Sequence, residues 1–234
     1  EAASSGEDGM KLWYWILGLL FPPKCALCRR ILEKNETDFC ANCRKDSPLF
    51  PELPGNMHPS GKSRLQFLDS FTAVWYYKGN VRSGILRLKF HGAAALAAPY
   101  GRMLAMKLYQ CRRESFDLIT WVPVSTKRRR KRGYDQAELL ARSVGAELGY
   151  KPVCLLKKLR DNPAQSGLRG EQRRANVLGV YGFTGKTDLH GKRILLIDDV
   201  FTTGATAEEC ARVLKTAGAS SVHCGAVAAA QKED

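Results

Sequence analysis

At 234 residues, 44% hydrophobic and 26% charged, the chain is long enough for one or two domains with a sizeable core, and this composition excludes disorder as a description of the whole. Thirty-seven Lys and Arg against 23 Asp and Glu give a formal net charge of +14. That excess suits polyanionic partners (nucleic acid, phosphate-rich ligands, a membrane surface), although a merely basic solvated surface would count the same.

Residues 1–9 read as an expression remnant ahead of a natural start at Met10, and no secretory cleavage site follows. Residues 10–24 contain LWYWILGLLF, Leu12 to Phe21. This run is too short to span a bilayer, and Pro22-Pro23 ends any helix. It reads as a short packed helix, with docking to a partner or a membrane surface through Trp13, Tyr14 and Trp15 as the functional alternative.

Residues 25–46 form a cysteine module. Cys25-x2-Cys28 and Cys40-x2-Cys43 are separated by eleven residues. Two such pairs converge on one tetrahedral Zn²⁺, whose affinity for four soft thiolates needs no open position. Two disulfides or an iron–sulfur cluster are the alternatives. A module this small would fold on its metal. Cys111, Cys154, Cys210 and Cys224 are scattered and read as small buried hydrophobes in a reducing compartment. The four histidines lack metal spacing.

Residues 47–66 are rich in Pro, Gly and Ser and read as a linker. Within it Gly61-Lys62-Ser63 resembles the end of a phosphate-binding P-loop. Five residues instead of four separate it from Gly55, and no apolar strand precedes it.

From residue 67 onward strand-like and helix-like stretches alternate. Strands are expected at Phe71–Tyr77, Leu118–Val124, Arg193–Ile197 and Ser221–Ala228. Helices are expected at Val81–Phe90, Leu96–Tyr109 with Pro99 in a first turn, Ala137–Leu148 and Thr206–Lys215, the last closed by Gly218. The alternation predicts an α/β domain, residues 67–234, with a parallel sheet flanked by helices.

RILLIDDVFTTGAT, Arg193 to Thr206, carries the chemistry. An apolar strand delivers two carboxylates to the carboxyl edge of the sheet, where such folds bind ligands. Asp198 and Asp199 repel each other unless sugar hydroxyls or a cation such as Mg²⁺ meet them. Thr202, Thr203, Gly204, Ala205 and Thr206 form a turn into a helix N-terminus, a ready anion site that Gly204 lets a phosphate approach closely. Thr206 with Glu209 also fits a capping box. Lys127, Arg128, Arg129, Arg130, Lys131 and Arg132 form an unbroken cationic run. A second cluster comprises Lys157, Lys158, Arg160, Arg169, Arg173 and Arg174. Either suits pyrophosphate or a nucleic-acid backbone, with Tyr134 or Tyr181 as stacking surfaces, or is a solvated loop.

ILLIDDVFTTGAT resembles the phosphoribosyl pyrophosphate signature of type I phosphoribosyltransferases. That resemblance implies Asp198 and Asp199 on the ribose hydroxyls and Thr202 to Thr206 on the 5′-phosphate. The cysteine module after FPPKC, YKGNVRSGILRLKFHG, VPVSTKRRRKRGYDQAELLA and QSGLRGEQRRANVLGVY together resemble the ComF family of competence-associated proteins over most of Phe21 to Ala230. The resemblance implies a zinc finger joined to a phosphoribosyltransferase-like domain. It also implies a pyrophosphate loop at Val122-Pro123-Val124, a catalytic hood loop at Gln165 to Asn176, and a role in handling single-stranded DNA during natural transformation. No glutaminase domain with an N-terminal cysteine is present, so nitrogen transfer from glutamine is not expected. Two readings follow: a protein that binds phosphoribosyl pyrophosphate and single-stranded DNA, or an Mg²⁺-dependent phosphoribosyltransferase acting on a base or amine. The expected partners are phosphoribosyl pyrophosphate, single-stranded DNA, other competence proteins and the membrane surface, in the cytoplasm or at the inner face of the membrane.

Overall fold

The structure, a computed structural model, describes residues 21–59, 64–111, 116–160 and 177–230. The apolar segment 12–20, Gly61-Lys62-Ser63, the expected hood loop 165–176 with Arg169, Arg173 and Arg174, and the ends of the chain lie outside the described residues. No described helix is long and apolar enough to cross a membrane. The chain divides into two compact units, 1–47 and 48–234.

The first unit is built by turns. The Cys25 N–H donates to the Arg30 carbonyl and the Arg29 N–H to the Cys25 carbonyl, closing a knuckle that helix α1 (Ala41–Asp46) answers from the other side. Among its described residues the buried apolar side chains beside the cysteines are Ala26, Leu27 and Phe39. Arg29 and Asp38 are held at φ 70° and 60°, a left-handed conformation that costs a side-chain-bearing residue about 1–2 kcal/mol. Something other than burial must compensate.

The second unit is the expected α/β domain. In chain order it contains β1 (Ser70–Tyr76), α2 (Gly79–Phe90), a 3₁₀ turn at Ala94–Leu96 and α3 (Ala97–Cys111). Then follow β2 (Leu118–Trp121), α4 (Thr126–Arg132), α5 (Gln136–Leu148), β3 (Leu156–Lys158) and β4 (Tyr181–Phe183). It closes with β5 (Arg193–Phe201), α6 (Ala205–Thr216) and β6 (Ser221–Ala229). Four strands make one sheet in the order β1-β6-β5-β2, every pair parallel. β3 and β4 form a separate antiparallel ribbon.

Strand alternation assigns the two faces. Ile194 and Leu196 of β5 with Val222, Cys224 and Ala226 of β6 join Cys210, Ala211 and Leu214 of α6 in one buried cluster. On the other face Gly225 lies against Ile197, Leu195 and Leu108 of α3. A methyl added at Gly101 of α3 would come within 2.3 Å of Ser143 of α5, so glycine is what lets those two helices cross. The central strands β5 and β6 are buried on both faces, which is why Ile194 to Ile197 and Cys224 to Ala229 read as apolar runs.

Several boundaries differ from expectation. β2 stops at Trp121 because Pro123 cannot donate to a ladder, and Val122-Pro123-Val124 leave the sheet as a loop. β5 runs past the acidic pair to Phe201. The cationic run is a helix rather than a loop: Ser125 caps α4 by accepting from the Arg128 N–H, and Gly133 closes it at φ 84°. The capping box does not form. α6 begins at Ala205 with Gly204 as its N-cap, and Glu209 instead accepts from the Gly179 N–H at 2.8 Å and pairs with Arg212. The Pro- and Gly-rich stretch after residue 47 places Phe50 and Leu65 in the core.

Candidate functional site

The carboxyl ends of β5 and β2 open on a cleft of about 490 Å³. This is where open parallel sheets bind ligands. Its floor is the acidic pair. The Asp199 N–H donates to Asp198 Oδ1 at 2.8 Å. Asp199 is 3% exposed, and its Oδ1 lies 2.8 Å from Lys89 Nζ at the end of α2. Its other oxygen, Oδ2, is buried with no hydrogen-bond partner among the described residues. An orphaned buried carboxylate oxygen is costly, and a sugar hydroxyl or a hard cation would satisfy it.

The charges of this floor act on one another. Burial first, and then the charge of Asp199, push the Asp198 carboxyl well above the usual carboxylate range. Burial works against the Lys89 ammonium, but Asp199 and Asp198 outweigh it and its pKa moves up. Nothing in the sequence near Lys89 announced this partnership with residues over a hundred positions away.

Above the floor, Thr202, Gly204, Ala205, Thr206 and Ala207 wall the cleft with the start of α6. The first N–H groups of any helix lack intrahelical acceptors, and its macrodipole favours an anion there. Gly204 stands at φ 72°, and a methyl on it would meet the Phe201 ring at 2.4 Å. Only glycine fits this turn. Thr203 is not among the residues lining the cleft; its carbonyl oxygen lies 3.2 Å from His58 Nε2.

The opposite wall is Val122, Pro123, Val124 and one face of α4. The buried Asp135 carboxylate ties that loop to the first turn of α5, accepting from the N–H groups of Val124 (2.9 Å), Ala137 (3.0 Å) and Glu138 (3.3 Å). Of the cationic run only Arg128 and Arg132 line the cleft, as the i, i+4 spacing requires. Arg129 turns to Glu138 at 3.5 Å. Lys127, Arg130 and Lys131 are not part of the cleft wall. From β3 and β4, Lys158 Nζ sits 5.3 Å over the Tyr181 ring, and both residues line the cleft. Tyr181 is buried, so it offers little stacking surface. Sequence reasoning missed Lys89, Phe90 and Asp135. A helix-terminal Lys-Phe and the Asp135 N-cap position were the available signals.

In the first unit, the sulfurs of Cys25, Cys28, Cys40 and Cys43 all lie within 4.8 Å of one another. Cys28 Sγ and Cys40 Sγ are 3.6 Å apart, close to the ~3.8 Å that tetrahedral bonds of about 2.3 Å impose on two thiolates sharing a zinc. The Cys40 N–H points at Cys25 Sγ (3.3 Å) and the Cys43 N–H at Cys40 Sγ (3.4 Å), the donors that a thiolate accepts. Burial and the neighbouring thiols push Cys43 up, and burial pushes Cys28 up. Burial also opposes the Cys40 thiolate, but the Cys43 N–H, Cys28 and Arg30 hold it down to about 7. Thiols this crowded resist ionising together unless a cation sits among them, so the donor set fits a structural zinc closed to substrate.

Comparison with known proteins agrees with both units. Residues 130–234 match the phosphoribosyl transferase domain and residues 16–53 the double zinc ribbon domain. The chain is 25% identical over 222 residues to competence protein F of Haemophilus influenzae, covering 88% of this chain and 97% of that protein. It is 27% identical over 219 residues to the DNA utilization protein YhgH of Escherichia coli (strain K12), covering 87% and 96%. It is 32% identical over 199 residues to the competence protein ComFC of Streptococcus pneumoniae, covering 85% and 84%. The four-cysteine unit, the phosphoribosyltransferase-like sheet and near full-length similarity to these relatives make the chain a member of the ComF family of competence proteins.

Proposed function

We propose that this protein binds phosphoribosyl pyrophosphate in the β5–α6 cleft and single-stranded DNA along the cationic rim of that cleft, as a DNA-handling protein of natural transformation. The observation that carries the reading is the acidic pair at the end of β5, whose Asp199 keeps an oxygen unpartnered among the described residues, set directly before the N-terminus of α6. Asp198 and Asp199 take the ribose hydroxyls. Thr202, Gly204, Ala205 and Thr206 take the 5′-phosphate. The Val122–Val124 loop with Arg128 and Arg132 takes the pyrophosphate. Mg²⁺ would accompany that pyrophosphate, with the acidic pair as its hard oxygen donors. Zinc held by Cys25, Cys28, Cys40 and Cys43 would supply structure only.

Phosphoribosyl pyrophosphate with Mg²⁺ should therefore raise the melting temperature. At a hundred times its Kd a ligand stabilises by about 2.7 kcal/mol, which is roughly 5–10 °C for a protein of this size. No shift at millimolar ligand would remove the cleft from the argument.

Binding of a labelled single strand should weaken with salt. If about six phosphates are neutralised, log affinity against log salt has a slope near −4, from about −0.7 per phosphate. Replacing Arg128 and Arg132 together by Ala should reduce that magnitude by about 1.4. Lys192→Ala, exposed beside the far end of β5, should change it little. A salt-independent affinity, or equal losses from the two variants, would take the strand away from these cations and leave them to pyrophosphate alone.

A further inference from the structure

Phe90 ends α2 with 62% of its surface exposed, an unusual position for a large aromatic ring beside a polar cleft. The Arg132 guanidinium lies over the ring, Cζ 4.8 Å from its centroid, and holds it in place. Next to them the Tyr134 hydroxyl donates to the Leu88 carbonyl at 2.5 Å, which fixes the tyrosine ring as well. Phe90, Tyr134, Arg128, Lys131 and Arg132 enclose a chamber of about 390 Å³. The chamber shares Lys89, Phe90, Arg128 and Arg132 with the ribose–phosphate cleft, and none of its lining residues is acidic.

The geometry points to this chamber as a subsite for one unpaired nucleobase of a bound single strand, with Phe90 as its stacking platform. The inference rests on the single-strand reading above and names the residue that would hold a base. A planar base can stack on an exposed ring and on a guanidinium at once. The cations around the chamber meet the phosphates that flank the base, while an aromatic peptide side chain would bring no charge for them. A base still paired in a duplex cannot present its face to Phe90, so the site selects single strands without reading their sequence. Phe90, rather than Tyr181, is then the aromatic partner of the cationic helix.

The test compares a labelled oligodeoxythymidylate with an abasic strand of equal length, which keeps the phosphates and lacks the bases. Stacking contributes about 1–3 kcal/mol per base, so the wild-type protein should prefer the base-bearing strand by roughly five- to a hundredfold. In Phe90→Ala the affinity for oligodeoxythymidylate should drop to the abasic level while the abasic affinity stays where it was, which also shows that the variant is folded. Phe90→Trp should keep the preference. A Phe90→Ala protein that still discriminates, or a wild-type protein that binds both strands alike, overturns the subsite and leaves strand binding standing. A wild-type protein that binds neither strand overturns the single-strand reading itself, and the subsite with it.

Discussion

Purified protein should contain one zinc per chain, and Cys25→Ser should lose it together with the fold of residues 23–46. The expected size of the effect follows from how little else holds this unit. Among the described residues Leu27 and Phe39 are its large buried apolar side chains apart from the cysteines, and each contributes about 1.5–3 kcal/mol at most. Against them stand the two left-handed residues, Arg29 and Asp38, at about 1–2 kcal/mol each, and the chain entropy of every ordered residue. A four-thiolate zinc site contributes on the order of 10–16 kcal/mol at neutral pH, and no other interaction among the described residues of the unit approaches that. Elemental analysis gives the metal and its stoichiometry, and amide exchange over residues 23–46 gives the fold. Iron in place of zinc, or full protection in a metal-free protein, would contradict the assignment. Because the ligands must be deprotonated to bind, the zinc should also leave on acidification.

The strands of the sheet and its long helices were legible because their patterns are local. Ile194 to Ile197 is apolar on every residue because both faces of β5 are covered. Ala137, Leu140, Ala141 and Val144 share a helical face and are all buried. The Asp-Asp–Thr-Thr-Gly turn was legible for the same reason: strand, carboxylates, turn and helix N-terminus are contiguous, and only their order is needed to place an anion site. The four-cysteine cluster was legible from spacing alone.

What escaped was either long-range or concealed by charge. Six adjacent cations left a solvated loop open beside phosphate contact, because like charges at i, i+4 cost a few tenths of a kcal/mol each. Lys and Arg are nonetheless good helix formers, and the bounding Ser125 and Gly133 are an N-cap and a left-handed C-cap that pointed to a helix. That helix decides which members of the run reach the cleft, since winding it puts Arg128 and Arg132 on the cleft wall and Arg129 beside Glu138. β3 and β4 are three residues each, too short to show an alternation. Phe50 and Leu65 lay in proline-rich text whose composition says turn and whose two large side chains say core. Lys89 carried no signal beyond its place in a helix-terminal Lys-Phe, because its partner is set by the fold and by nothing in its neighbourhood.

The buried charges at the floor of the cleft give the second large expectation, and it opposes stability to binding. In an unfolded chain Asp198 ionises near pH 3.9, whereas in the folded protein burial and Asp199 push it up to about 8. Between those values the unfolded chain has given up a proton that the folded protein still holds. Stability therefore falls as pH rises through that window and levels off above it. Asp198→Asn keeps an oxygen for the Asp199 N–H and removes the repulsion. It should stabilise the protein by about 1–2 kcal/mol at pH 8, a typical gain when a functional site is relieved of strain, with the difference vanishing below about pH 4. Lys89→Met should do the reverse. It strips the ion pair from Asp199, whose side chain is 5% exposed, and stranding a buried charge costs about 3–5 kcal/mol; the low end applies because Lys89 keeps 21% of its side chain exposed. Adding Asp199→Asn to Lys89→Met should recover most of that loss, since a neutral amide needs no counter-ion. The raised pKa of Lys89 places its contribution across the whole neutral range, fading only in alkali above its ordinary value of about 10.4. Asp198→Asn, for all its added stability, should show no melting shift with phosphoribosyl pyrophosphate and Mg²⁺. Thermal melts of the three variants across pH, with and without that ligand, measure every one of these terms. An Asp198→Asn protein that is less stable than wild type at pH 8, or that still shifts with ligand, would mean that the acidic pair holds the sheet together and does not face a sugar.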